Sequence, residues 1–125
     1  MLHHLSIAVT DLPRAMIFYD AVLATLGYAR VFTGNEAVGY GYPGQDDLLL
    51  INAQNSVNIP GEGFHLAFAA ARPEDVDRFH TAALRHGGRC NGTPGVRPDY
   101  GDYYYAAFVI DPEGYRIEAV VNRPH

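Results

Sequence analysis

Residues 4–27 read HLSIAVTDLPRAMIFYDAVLATLG, and residues 65–88 read HLAFAAARPEDVDRFHTAALRHGG. Shifted by 61 positions, His4 falls on His65, Leu5 on Leu66, Phe18 on Phe79, Leu23 on Leu84 and Gly27 on Gly88. Each copy reads as a short strand, a Pro-containing turn and an amphipathic helix closed by glycine. Two copies are too few for a solenoid, so the repeat implies one pseudo-symmetric domain.

The first strand alternates Leu5, Ile7 and Val9 with His4, Ser6 and Ala8. Asp11 is placed to cap the helix, and Pro13 fits its first turn. Ala15, Phe18, Tyr19, Val22, Leu23 and Leu26 form the apolar stripe, and Gly27 the stop. Strands are expected at about 28–33, 37–42 and 48–52. Asn, Pro and Gly between 55 and 63 mark the connector, giving modules of about 1–57 and 63–125 joined at 58–62. In the second copy, Leu66 and Phe68 alternate with His65, Ala67 and Ala69. Pro73, Glu74 and Asp75 open a helix whose buried face is Val76, Phe79, Ala83 and Leu84. A Gly/Pro-rich loop is expected over 91–102, a candidate flap, followed by strands at 103–110 and 115–121 around Asp111-Pro112-Glu113-Gly114. The plan is βαβββ twice, an α+β fold.

Size and composition fit one globular domain: 125 residues, 48% hydrophobic. A formal charge of −5 argues against non-specific nucleic-acid binding. The single cysteine, Cys90, excludes an internal disulfide and reads as a buried or incidental thiol. The N-terminus lacks the features of a signal peptide, and no apolar run is long enough to cross a bilayer. A cytoplasmic location, with no membrane partner, is the expectation.

Both opening strands carry bulky residues on the face that a helix must cover. The opposite face carries one histidine followed by small residues, which leave space beside it. In 115–121, Tyr115, Ile117, Ala119 and Val121 share one face, while Arg116, Glu118 and Val120 share the other. A glutamate inside an apolar strand is costly unless it is paired or bound to a cation. If the modules pack symmetrically, His4, His65 and Glu118 meet on a concave face. Two imidazoles and a carboxylate suit Fe, Mn, Ni or Zn. His3 is expected to point away from His4. His80 and His86 lie on a helix, and His125 is terminal.

The segments His4-Leu5-Ser6-Ile7-Ala8-Val9-Thr10-Asp11-Leu12, Phe64-His65-Leu66-Ala67-Phe68 and Asp111-Pro112-Glu113-Gly114-Tyr115-Arg116-Ile117-Glu118 resemble the glyoxalase/bleomycin-resistance/dioxygenase group, the vicinal oxygen chelate superfamily. The resemblance covers nearly the whole chain. It implies paired βαβββ modules forming a U-shaped cleft around a divalent metal held by His4, His65 and Glu118. It also implies a homodimer, with the cleft completed either within one chain or by strands from two subunits, and a small-molecule substrate chelated through adjacent oxygens by a lyase, dioxygenase or thiol transferase. Glyoxalase I members have a fourth ligand at the end of the first half; in 47–52 only Asp47 and Asn52, at the edges, are candidates. One of Tyr103, Tyr104 and Tyr105 is expected to reach the cleft as a donor or acid, and Arg97 or Arg116 to bind an anionic substrate. The competing expectation is a metal-free sequestering protein of the bleomycin-resistance type.

Overall fold

The computed structural model describes residues 1–124; His125 lies outside the described residues. The elements are β1 (Leu5–Val9), α1 (Leu12–Ala24), β2 (Ala29–Thr33), β3 (Ala37–Gly41), β4 (Leu49–Ala53), β5 (Leu66–Ala69), α2 (Pro73–Arg85), β6 (Arg89–Val96), β7 (Tyr104–Ile110) and β8 (Arg116–Asn122). The two helices keep the 61-residue offset at both ends. Two four-stranded sheets form, ordered β1-β4-β3-β2 and β5-β8-β7-β6. In each, the opening strand runs parallel to the last strand of its module, beside an antiparallel meander. The expected pair of pseudo-symmetric modules is therefore observed.

Each helix covers one face of its own sheet, and α1 packs on α2, so a single core runs through both modules. Asp11 caps α1, accepting a bond from the Arg14 N–H at 3.0 Å. Phe18, Tyr19, Val22 and Leu23 on α1, and Val76, Phe79 and Ala83 on α2, are buried as their spacing requires. Leu84 departs from this reading. It is 46% exposed, because α2 turns only the stripe ending at Ala83 toward the sheet.

The largest difference lies in 91–102. Residues 91–96 belong to β6, which pairs with β7, and only the remainder is a turn segment. The strand was hidden because its register shifts twice, between Cys90 and Gly92 and between Gly92 and Gly95. Such bulges interrupt the two-residue alternation by which a strand is read. Gly92 has φ +155°, and a Cβ there would sit 3.0 Å from Cδ2 of Phe108.

One turn fastens the modules together. The Asp111 carboxylate is buried; Oδ1 accepts the N–H groups of Glu113, Gly114 and Tyr115 at 3.0, 2.8 and 2.8 Å. The Tyr19 hydroxyl donates to Oδ2 at 2.5 Å. From the same turn, Glu113 accepts bonds from Thr10 and Arg14, and the Tyr115 hydroxyl donates to the Ala8 carbonyl at 2.7 Å. Burial pushes the Asp111 carboxyl up, partly offset by these bonds. Burial and then the neighbouring Asp111 hold the Tyr19 phenol well above the ordinary tyrosine value, so it remains a donor. Tyr19→Phe removes the only side-chain donor to this carboxylate among the described residues. It is expected to lower unfolding free energy by about 1.5–3 kcal/mol in chemical denaturation.

Candidate functional site

Strand alternation decides what faces the cleft. On β8, Ile117, Ala119 and Val121 join the core, so Arg116, Glu118 and Val120 turn to the other face. The cross-strand partners of Glu118 are Phe108 on β7 and Ala67 on β5. His65 is the residue just before β5, and its ring meets Phe108.

Glu118 is only 1% exposed, yet it lines the hollow. Its Oε1 lies 2.9 Å from Nε2 of His65, whose side chain is half exposed. Its Oε2 accepts a short hydrogen bond from the Tyr104 hydroxyl. A carboxylate buried this deeply is costly unless both oxygens are engaged; here His65 and Tyr104 engage one each. Burial, then the bond to Glu118, hold the Tyr104 phenol well above the usual tyrosine value. Tyr104 is thus a protonated donor at neutral pH.

Above this triad the surface sinks into two joined hollows of about 380 and 510 Å³, sharing His65, Tyr100 and Phe108. The larger extends to Glu62, Asn91 and Arg116. Aromatic contacts shape the walls: Tyr100 meets Tyr104 edge-on at 5.2 Å, and Phe108 meets His65 at 6.2 Å.

The three tyrosines separate. Tyr104 enters the cleft. Tyr105 points to α2, donating to Asp77 at 2.6 Å, a bond that with partial burial pushes its phenol up to about 12. Tyr103 is half exposed in the preceding turn and lines neither hollow. The arginines differ too. Arg97 donates to the carbonyls of Gly95 and Thr93 at 3.0 and 2.6 Å, with its guanidinium 5.4 Å above the Phe108 ring. Arg116 lines the mouth and makes one long bond, 3.5 Å, to the Pro60 carbonyl.

His4 is not brought to His65 and Glu118 within the chain. Among the described residues, no three His, Cys, Asp or Glu side chains are grouped to hold a metal ion. His4 is exposed and lines another hollow, beside Tyr28, Leu48, Ala67, Phe68 and Ala69. The physical reason is that β1 and β5 belong to different sheets. Nor does His3 point away from it: both histidines precede β1, so strand alternation does not govern them, and their Nδ1 atoms are 2.8 Å apart.

The modules are asymmetric at the site. Ala67 pairs with Glu118, and its repeat equivalent Ser6 pairs with Leu50. Leu50 therefore stands where the twin of Glu118 would be. Asn52 is occupied, donating to the Ile7 carbonyl at 3.1 Å and accepting from Gln54 at 2.8 Å. The Asp47 carboxylate lies over Gly39, the cross-strand partner of Leu50; a Cβ at Gly39 would be 2.3 Å from its Oδ2. Cys90 is exposed rather than buried, with its sulfur 3.2 Å from Nε2 of His80. His86 caps the end of α2, its ring 2.8 Å from the Ala82 carbonyl.

Phe108, Tyr100 and Asn91 were not singled out from the sequence. Phe108 was accessible in principle, because antiparallel register to Glu118 fixes its face; Tyr100 and Asn91 fall in the region whose strand went unread. As a donor set, an imidazole nitrogen and a carboxylate oxygen 2.9 Å apart fit adjacent positions on a divalent ion. Metal–ligand bonds of about 2.0–2.2 Å put neighbouring donors about 3 Å apart.

The model of the Glyoxalase/Bleomycin resistance protein/Dioxygenase superfamily matches residues 1–119, and the chain belongs to that superfamily. A glyoxalase/bleomycin resistance protein from Albidiferax ferrireducens T118 is 33% identical over 96% of this chain and 98% of that one, with a TM-score of 0.83. A putative glyoxalase from Bacillus halodurans is 26% identical over 96% and 94%, with a TM-score of 0.73. The fosfomycin resistance protein FosX from Listeria monocytogenes shares the fold at 16% identity, over 96% and 91%, with a TM-score of 0.71. No curated protein matches. Among the described residues, no helix is long and apolar enough to cross a membrane.

Tyr104→Phe leaves one oxygen of a buried carboxylate without its donor. The variant is expected to be less stable by about 1–3 kcal/mol in chemical denaturation. An unchanged midpoint would contradict the assigned role of the hydroxyl.

Proposed function

We propose that the chain is one subunit of a homodimeric, divalent-metal-dependent enzyme that acts on a small molecule bearing adjacent oxygens. The observation that carries this is Glu118: an almost fully buried carboxylate that opens only to a cleft, beside an imidazole nitrogen. His65 and Glu118 would hold the ion, and His4 of the partner subunit would complete the set. His4 is suited to this because it is the repeat twin of His65, lies on an exposed edge and is not used with them in its own chain. Leu50, at the mirror position of Glu118, supplies no fourth oxygen.

When bound, the ion would act as a Lewis acid toward two substrate oxygens, or as the oxygen-activating centre if it is iron. The chain's own contributions follow from its geometry. Tyr104 fixes the orientation of Glu118 and keeps a proton at its hydroxyl. Phe108, Tyr100 and Tyr104 make an aromatic wall beside the His65–Glu118 pair. Asn91 and Arg116 present polar groups at the mouth. Lyase, dioxygenase and thiol-transferase chemistry are all compatible with this frame.

Among the described residues no three-donor group forms within one chain, which favours a second reading, a metal-free sequestering protein that holds its ligand among the aromatic walls. Elemental mass spectrometry of gently purified protein, with its mass in solution, separates the two. The enzyme reading expects a dimer with about one equivalent of Fe, Mn, Ni or Zn per chain, lost in His65→Ala and in His4→Ala. A metal-free protein, even after anaerobic reconstitution, sinks the enzyme reading and supports sequestration.

A further inference from the structure

The chain has no lysine, and its nine arginines carry all its fixed side-chain positive charge. Arg14 and Arg30 reach Glu113 and Asp20 at 3.1 Å, and Arg72 and Arg78 converge on Asp75 at 3.2 and 2.8 Å. Arg116 has no carboxylate partner among the described residues. Glu62 shares its hollow, but no ion pair joins them. The single contact from Arg116, to the Pro60 carbonyl, lies at the outer limit of a hydrogen bond. A half-buried guanidinium at the mouth of the candidate cleft thus keeps most of its five donors free.

The position of Arg116 is set by the sheet. It lies two residues before Glu118 on the same face of β8, about 6–7 Å along the strand. Ile110, its partner on β7, is two residues beyond Phe108 on the same face. Arg116 and Phe108 therefore line one hollow, and Phe108 and Glu118 the adjoining one. Between them the wall is aromatic: Tyr100, Tyr104 and Phe108. The Arg97 guanidinium over Phe108 adds positive potential, although two of its nitrogens already donate to carbonyls. Gly92 makes room for that stack, since a Cβ there would be 3.3 Å from Nη2 of Arg97. In a chain of net charge −5, these two guanidiniums offset the carboxylates of Glu62 and Glu118 at the joined hollows, so an anion at Arg116 meets less repulsion there than the overall charge implies.

We infer that the cleft takes an aromatic carboxylate, its acid group paired with Arg116 and its ring against Phe108 and Tyr100. This names a substrate class for the site of the proposed function and rests on that cleft being the ligand site. It does not depend on a metal. A guanidinium pairs a carboxylate through two parallel N–H bonds, which neutral analogues cannot match. The ligand's ring stacks on or meets edge-on the aromatic side chains of the wall.

The test uses the protein as purified and the same protein after chelator treatment. Phenylacetate is titrated against phenylacetamide, read by calorimetry and by amide chemical shifts. The expected result is that phenylacetate binds more tightly than the amide in both preparations. Arg116→Gln should weaken phenylacetate by about 10-fold or more while leaving the amide unchanged. Arg116→Lys should fall between, and Phe108→Ala should weaken both ligands. Circular dichroism confirms that the variants are folded. Equal affinity for acid and amide, no binding of phenylacetate, or an unaltered Arg116→Gln variant would overturn the proposal. Binding abolished by the chelator would also overturn it, because the metal rather than Arg116 would then hold the acid. If the purified protein proves metal-free and still binds phenylacetate through Arg116, the substrate class stands and only the metal reading falls.

Discussion

The buried carboxylate of Asp111 is the contact on which the arrangement depends. One oxygen gathers three successive N–H groups and so fixes the turn between β7 and β8. The other accepts the hydroxyl of Tyr19 from α1 and so docks that turn on the opposite module. Glu113 and Tyr115, from the same turn, add contacts to Thr10, Arg14 and Ala8. The hairpin held this way carries Tyr104, Phe108, Arg116 and Glu118, four of the nine residues that line the cleft. Its register is a consequence of the turn, and the geometry of the cleft is a consequence of the register. Burying such a charge is unfavourable in isolation, and four hydrogen bonds offset it only because each is made at the same point.

Glu118 repeats that logic with a different outcome. It too is a buried acid with both oxygens engaged, but its partners face a hollow rather than the core. The first module has no equivalent: Leu50 takes the mirror position, and Asp47 reaches the open face of its sheet from outside the strand. A duplicated scaffold thus presents one half with a histidine and a leucine, the other with a histidine and a glutamate. Under the proposed function, neither half suffices alone.

Much of the fold was legible because the repeat is strong and the apolar periodicity clean. Ile7, Val9, Phe18, Tyr19, Val76 and Phe79 point inward as their spacing demands. Strand alternation likewise put Glu118 on the face opposite the core, and it required one of Tyr103, Tyr104 and Tyr105 to reach the cleft without saying which. What was not legible has local causes. β6 carries two register shifts and a positive-φ glycine, which erase its periodicity, and Tyr100 and Asn91 of the cleft lie in or beside it. His3 and His4 sit before their strand, so alternation could not orient them. Whether His4 shares a site with Glu118 depends on the packing of modules, and no local pattern within either module encodes it.

The central claim is that the site is shared between two copies of the chain. Metal binding by a refolded mixture of His4→Ala and Glu118→Gln chains tests it most directly. Each variant alone lacks part of every site. In a mixed dimer, the unaltered His4 of one chain meets the unaltered His65 and Glu118 of the other, so one complete site is rebuilt. The account predicts that the mixture regains metal that neither variant retains alone. A mixture shown to contain mixed dimers and yet as metal-free as its components would contradict it.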